Sequence, residues 1–509
     1  MNNLLINPPG YSHVRPMNAE YSIGLLKLST HLKSKGENVE YFDFVPDKEF
    51  CSCFNVLNNG SDFNTFKYDA SDAQDLKCYK GQEYTLDRSS FRRMTGEYIT
   101  RFGDMFSRIY TGVDKSVFID YLKKNKPDKI WISSGITYHY KGTVELIEWC
   151  KEIYPDVEVN LGGIYPTLCY DNAVKNTKAD NIFRGDSLEF KDAEMDYDIL
   201  PNKPEYIVRQ FSKGCPNGCK FCAVSYLDGR KVTVVDIDRD IREIDELTTR
   251  YGVNKIKLWG SNMLLPGRGK YFEEWLDKLI ALDKNFEITC PEGFAPELLT
   301  DSLCKKIHKA GFLYIEIPLE SGTDESLSGD MGKKYNIETW EKAVNFAWNA
   351  GYDKHQIHVA IIYAAINQSW TDLVEAIKLV TKHNLRAVGR SYVPVPKSEW
   401  YERSDRFKSM DLELLDGSLY PAIEDIELYG EMKMLSSYLI DNMSCEINDR
   451  RVKFLEGMQE EKEMINGAVI DKMAVLLIDI AEQNEKILTG MEDFKKRIEA
   501  VENVKKQEA

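Results

Sequence analysis

Strand-sized apolar runs alternating with helix-sized amphipathic segments constrain this chain more than any other feature. Leu4-Leu5-Ile6 stops at Asn7-Pro8-Pro9-Gly10, a helix follows from about Ser22 to Ser34, and Val39 to Phe44 is a strand again. Such a β-α-β unit demands a parallel sheet and a right-handed crossover. The order resumes with strands at 129–135, 157–163 and 181–186 and helices at 142–153 and 168–176. It runs a second time with strands at 207–211, 254–259, 286–290, 312–319, 355–362 and 387–393. Helices at about 236–250, 270–282, 296–310, 337–350 and 370–383 separate these. The chain therefore reads as α/β. Residues 1–195 form an N-terminal doubly wound parallel-sheet domain, and 196–402 a central partial (β/α)6 barrel. Both carry their sites at the carboxyl ends of their strands.

Two stretches depart from this grammar. Residues 46–116 are a long polar insertion dotted with aromatics, holding Cys51, Cys53 and Cys78. Short helices are expected there, around 97–110 and 114–124, since a structureless loop of that length is unusual in a compact domain. The insertion is placed to cover a substrate or cofactor mouth. From 403 to 509 the strands stop, and a mainly helical C-terminal appendage is expected. Its helix from Asp425 to Asp441 shows an apolar stripe of Ile426, Leu428, Tyr429, Met432, Leu435 and Leu439.

Composition narrows the function classes. The formal charge of −16 argues against binding a nucleic-acid phosphate backbone. No run of 18 apolar residues predicts a membrane span, and the N-terminus does not read as a signal peptide. Eleven cysteines, odd in number and irregularly spaced, argue for a reducing, cytoplasmic compartment rather than a disulfide framework.

The most specific chemistry lies in Gly214-Cys215-Pro216-Asn217-Gly218-Cys219-Lys220-Phe221-Cys222. Cys215, Cys219 and Cys222, spaced C-x3-C-x2-C, are three soft ligands in a glycine- and proline-bearing loop. They suit three irons of a cubane cluster and leave the fourth open. The residues alone also admit a zinc knuckle or a disulfide pair, although a structural zinc site wants a second ligand half. With Phe221 before the last cysteine, the loop resembles the signature of the radical S-adenosylmethionine (radical SAM) superfamily. That resemblance implies a [4Fe-4S] cluster whose open iron chelates SAM. Reductive cleavage of SAM then yields methionine and a 5′-deoxyadenosyl radical that takes hydrogen from substrate. It also implies a flavodoxin- or ferredoxin-type electron donor. Trp259-Gly260-Ser261-Asn262 occupies the place of the family's Gly-Gly-Glu-like motif that meets the SAM amino group, but lacks the glutamate, so its backbone is expected to serve. Glu320-Ser321-Gly322-Thr323 resembles a Glu-Ser-Gly segment that approaches the SAM ribose and methionyl portion, and Met331-Gly332-Lys333-Lys334-Tyr335 continues the match. The family's Gly-x-Pro-Gly-Glu-Thr-like turn is replaced by Tyr363-Ala364-Ala365-Ile366-Asn367-Gln368-Ser369.

Ile6-Asn7-Pro8-Pro9, Leu161-Gly162-Gly163-Ile164-Tyr165-Pro166-Thr167 and Phe183-Arg184-Gly185-Asp186-Ser187 resemble the cobalamin (B12)-binding-type domain fused to many radical SAM proteins. By that resemblance Gly135, Ile136, Thr137, Gly162, Gly163 and Tyr165 would face the corrin. The glycines serve equally well as tight strand-to-helix turns. Cys290, Glu292, Tyr314, Glu316, His358, Arg390 and Tyr392 sit in or just past barrel strands and are candidates to act on substrate, or else are paired polar residues of the barrel. Arg390 suits a carboxylate or phosphate, and Cys290 a hydrogen-atom donor. The expected activity is cobalamin-dependent C-methylation of a small-molecule or peptide substrate. Epimerisation, rearrangement or cyclisation without methyl transfer is the alternative, and a non-enzymatic iron–sulfur protein a third. Oligomeric state has no sequence signal.

Overall fold

The computed structural model describes residues 1–12, 20–45, 48, 84–85, 107–186, 189–415 and positions 422, 423, 429 and 432. Five parallel strands make the first sheet: β1 (Asn2–Asn7), β2 (Asn38–Asp43), β3 (Lys129–Ser134), β4 (Glu158–Gly163) and β5 (Asn181–Ile182). Their spatial order is β2-β1-β3-β4-β5, so the connections reverse beside β1 and leave a crevice at the carboxyl ends there. The period of two along β1 decides what lies on each face. Leu5 packs with Leu25, Leu28 and Leu32 of the helix Ile23–Ser34. Leu4 and Ile6 pack on the other face, with Phe118 and Leu122 of helix Lys115–Lys124 and Leu146 and Ile147 of helix Tyr140–Ile153.

The second unit has six parallel strands: β6 (Ile207–Lys213), β7 (Lys255–Gly260), β8 (Glu287–Thr289), β9 (Ile315–Glu316), β10 (Ile357–Tyr363) and β11 (Arg386–Ser391). β6, β7 and β8 form one ladder and β9, β10 and β11 another, joined by a bridge from Ile288 to Phe312. No ladder joins β11 to β6 among the described residues, so the barrel is partial.

Three expectations are corrected. The run 312–319 is not one long strand. Its regular ladder is limited to Ile315–Glu316, because Pro318 has no N–H to give. Pairing nevertheless continues on both sides of the proline, with Ile317 N–H donating to the His358 carbonyl (2.9 Å) and Leu319 N–H to that of Ala360 (3.1 Å). The helix expected at 168–176 begins only at Tyr170 and ends at Asn176, because Leu168 closes a separate short helix, Ile164–Leu168. Ser107–Thr111, inside the stretch expected as helix 97–110, is a strand antiparallel to Gly10–Ser12. Helix 114–124 appears as Lys115–Lys124. The rest of the 46–116 insertion lies almost wholly outside the described residues. So does the C-terminal appendage beyond 415, save for Ala422, Ile423, Tyr429 and Met432, of which Ile423 and the helical Tyr429 and Met432 are buried in the barrel's apolar cluster.

Two features tie the units together. Glu20, just before the first helix, reaches Lys257 Nζ inside the barrel at 2.6 Å. After β11 the chain turns back, and Trp400, Phe407, Leu412 and Leu415 join the apolar cluster of the first sheet. Tyr140 Oη donates to Asp411 at 3.1 Å, and Lys141 pairs with buried Glu413.

Candidate active site

The cysteine loop leaves β6 through a sharp turn. Gly214 sits at φ +90°, and a Cβ there would fall 2.2 Å from the Lys231 carbonyl oxygen, so only glycine lets the two backbones approach. Cys215 N–H donates to the Gly229 carbonyl (2.9 Å), and Cys222 N–H to that of Cys219 (3.1 Å). The Val224 amide points at Cys222 Sγ from 3.4 Å. The three cysteines are free and partly exposed. Burial pushes the Cys222 thiol up to about 11 and raises that of Cys219; Cys215 adds to both rises, and Cys219 to that of Cys222. Three sulfur ligands thus share one loop in which a bound cation would favour their ionisation, which fits an iron–sulfur cluster. Among the described residues no three His, Cys, Asp or Glu converge tightly enough for a single metal ion. A cubane asks for no such convergence, since each thiolate meets its own iron.

Facing this loop is the hollow of the barrel. Gln210, Trp259, Glu292, Glu316, Ala360 and Ile362 all retain accessible surface, although protein surrounds Glu292 and Glu316 on nearly every side. They line an open interior rather than an outer face. Burial raises the Glu292 carboxyl well above its ordinary value. The Gly260 N–H, donated to that carboxylate, opposes the rise, and the negative charges of Glu20 and Glu316 add to it. A carboxylate therefore stands at the end of β7, where the expected Gly-Gly-Glu-like glutamate is missing, and it arrives from the end of β8. The Ser261 hydroxyl is engaged with Asp228 at 2.5 Å.

Burial likewise lifts Glu316 to about 7, against the pull of Arg390 and with the push of Glu320. A carboxyl raised in this way binds its proton more tightly in the folded chain. Its stabilising contribution is complete below the unfolded value near 4 to 5 and is lost as pH rises through about 7. Glu316→Gln should therefore flatten the stability profile between about pH 5 and 7 and leave the variant relatively more stable at pH 8. Urea melts across that range check it, and an unchanged slope rejects it.

Glu320 takes φ +63° and is 8% exposed. Ser321 is fully buried, and its Oγ meets no partner among the described residues. Cys290 is buried beside Glu292 and Glu316, with its thiol pushed up chiefly by burial. Glu292, Glu316, Glu320, Arg390 and Cys290 thus share one neighbourhood. Tyr314 and His358 stand apart. Their rings stack at 4.2 Å near the amino end of β10, and His358 Nε2 lies 3.1 Å from the His355 carbonyl. Tyr392 is in the wall against Trp400, with ring centres 5.0 Å apart. Glu297 and Lys333 had no assigned role from sequence. Both are electrostatic neighbours of Cys219, and Glu297 Oε2 is buried without a hydrogen-bond partner among the described residues. Nothing in the local sequence marks Glu297.

At the carboxyl edge of the first sheet, a Cβ added to Gly135 or Gly162 would have open space around it, and Ile136 and Ile164 are exposed at 37% and 38%. Gly163 is different. At φ +103° its Cβ would lie 2.5 Å from the Ser134 carbonyl oxygen, so its glycine serves the turn. Thr137 is buried, and so is Tyr165, whose hydroxyl donates to Asn172 at 2.8 Å.

Residues 210–380 match the family model described as the Radical SAM superfamily. Those residues form a radical SAM domain. The radical SAM domain so defined begins in β6, contains the cysteine trio and extends through helix Trp370–Lys382. Among curated proteins, the tRNA-2-methylthio-N(6)-dimethylallyladenosine synthases of Natranaerobius thermophilus and Clostridium novyi are each 27% identical, over 250 and 233 residues. These alignments cover 44% and 43% of this chain and 50% and 48% of the relatives. The chain thus spans about half the length of the curated relatives it matches. Among solved structures, the radical S-adenosylmethionine methyltransferase TsrM from Kitasatospora setae, with tryptophan substrate and a SAM analogue bound, superposes with a TM-score of 0.51 at 13% identity. That alignment covers 79% of this chain and 76% of TsrM. A second TsrM structure, with cobalamin and a [4Fe-4S] cluster, gives the same TM-score at 12% identity, covering 78% and 77%. The likeness is one of fold, and it extends beyond the radical SAM domain. No helix among the described residues is long and apolar enough to cross a membrane.

Proposed function

We propose that this protein is a cobalamin-dependent radical SAM methylase acting on an unactivated carbon of a small-molecule or peptide substrate in the cytoplasm. The observation that carries the cobalamin part is the carboxyl edge of the first sheet. Open space over Gly135 and Gly162, flanked by exposed Ile136 and Ile164, suits the face of a broad, flat macrocycle. The fold likeness to TsrM, solved with cobalamin and a [4Fe-4S] cluster bound, supports the same reading.

Each residue then has a task. Cys215, Cys219 and Cys222 hold the cluster, with Phe221 packed beside them. When bound, the cluster supplies the electron that cleaves SAM, and cobalamin supplies a methyl carrier. Glu292, held by the Gly260 N–H beside Trp259 and Ser261, offers a carboxylate to the SAM ammonium. Glu320 meets its ribose and methionyl portion, with Ser321 buried behind it. Arg390, close to Glu316, orients an anionic group of the substrate, and Cys290 lies close enough to these groups to return a hydrogen atom. The walls of the hollow keep water from the radical. A flavodoxin- or ferredoxin-type protein supplies electrons.

A second reading is radical chemistry without methyl transfer, namely epimerisation, rearrangement or cyclisation. It is favoured by the closed positions of Thr137 and Tyr165 and by the altered 363–369 turn, where Ala364 and Asn367 both take positive φ. One assay separates the two. The protein is reconstituted anaerobically with iron and sulfide, supplied with cobalamin, desalted and reduced. About one cobalamin retained per chain together with 5′-deoxyadenosine from SAM supports methylation. Deoxyadenosine without retained cobalamin favours the second reading. Cluster-loaded protein that forms none in the presence of a cell extract containing candidate substrates sinks both and leaves an iron–sulfur carrier.

A further inference from the structure

The segment that follows Glu320-Ser321-Gly322-Thr323 grips the cysteine loop from the opposite side of the barrel. Ser326–Asp330 is a single π-helical turn, a geometry frequent at functional sites. The Met331 carbonyl accepts the Lys220 N–H at 3.0 Å, and the Gly329 carbonyl accepts Lys220 Nζ at 2.6 Å. Gly332 has φ +71°, and a Cβ there would come 2.7 Å from the Gly218 carbonyl oxygen. The close approach aims the next side chain inward. Lys333 Nζ then donates to Glu320 Oε1 at 2.8 Å, lies 5.0 Å from the centre of the Phe221 ring and 5.7 Å from that of Tyr335, and is an electrostatic neighbour of Cys219.

We infer that Lys333 is a positioning residue that joins the cysteine loop and Glu320 into one electrostatic unit and helps set the reduction potential of the cluster. The ion pair with Glu320 at 2.8 Å, between two largely buried side chains, keeps this ammonium charged and fixed in place. A fixed cation beside a redox centre favours the more negative, reduced state. The Glu320 carboxylate partly offsets that effect. The unit therefore has two handles of opposite sign, and the Phe221 face adds a cation–π contact that fixes where the charge sits.

This inference rests on the cluster assignment, so iron and labile sulfide per chain are measured first. A variant that fails to load bears on the ligands rather than on Lys333. The test is a redox titration of the reconstituted protein followed by electron paramagnetic resonance. Lys333→Met should shift the potential downward, Glu320→Gln should shift it upward, and the double variant should return near the wild-type value. Lys333→Arg should leave it almost unchanged. Equal potentials across the series, or shifts of the same sign in both single variants, overturn the inference. If Lys333→Met holds no cluster, Glu320→Gln decides alone, and an unmoved or lowered potential rejects the proposal.

Discussion

Cys219→Ala should abolish 5′-deoxyadenosine formation while the chain still folds. Cys219 is partly exposed, and its backbone carbonyl, which accepts the Cys222 N–H at 3.1 Å, is untouched by the substitution. What disappears is one of three sulfur ligands, and no other free cysteine among the described residues lies in this loop. Losing an outer partner of a metal ligand typically costs 10- to 100-fold. Losing the ligand should exceed that, so cleavage should fall by more than about 100-fold. Anaerobic reconstitution followed by chromatography of the nucleoside products measures it, with circular dichroism reporting the fold. Full cleavage by the variant would falsify the ligand assignment.

Gly322→Ala should be strongly destabilising for a single added methyl group. A Cβ at this position would stand 2.0 Å from the Ala376 amide nitrogen, 2.5 Å from the Glu375 carbonyl carbon and 2.6 Å from the Asp372 carbonyl oxygen. All three are backbone atoms of the helix Trp370–Lys382, whose first turn is fixed by the reciprocal capping of Ser369 and Asp372 and by Thr323 Oγ1 donating to Asp372 at 2.6 Å. The turn cannot yield without moving Glu320 and Ser321 or unseating the helix. A loss of about 3 to 5 kcal/mol is expected, at the upper end of what one substitution does. Gly218→Ala is the control, because nothing lies within 4 Å of the Cβ it would add. Denaturant midpoints of the cluster-free proteins compare the two. Similar midpoints for Gly322→Ala and wild type would show that the turn is more pliable than its contacts indicate.

The cysteine loop was legible in sequence because its chemistry is local. Three ligands within one turn need no knowledge of the rest of the chain. The two parallel sheets were legible for a related reason, since strand and helix periodicities are written into short windows such as Leu4-Leu5-Ile6 and Ile337–Ala350. What escaped depends on residues distant in sequence. Glu292 meets the Gly260 N–H from the end of the next strand, a relation that no motif can express. Lys333 stood in a recognised stretch, yet its partners Phe221 and Cys219 lie on another strand's loop. Tyr165 looked like a cofactor contact by position, but its ring turns into the core, 5.4 Å from that of Tyr140. The return of residues 400–415 to the first sheet has no periodic signal at all, because short helices such as Glu399–Arg403 and Asp405–Ser409 are fixed by what they pack against.

That return path has a consequence for how such a protein can be rebuilt. The chain leaves the first unit before β6 and comes back to it after β11, so a piece of the first core is made only after the barrel. A graft that exchanged only the N-terminal segment for another would leave Trp400, Phe407, Leu412 and Leu415 facing a surface they were never shaped to fit. The interchangeable part is the barrel between the two crossings, inserted like a word in parentheses, and any chimera that respects this has to carry both brackets together.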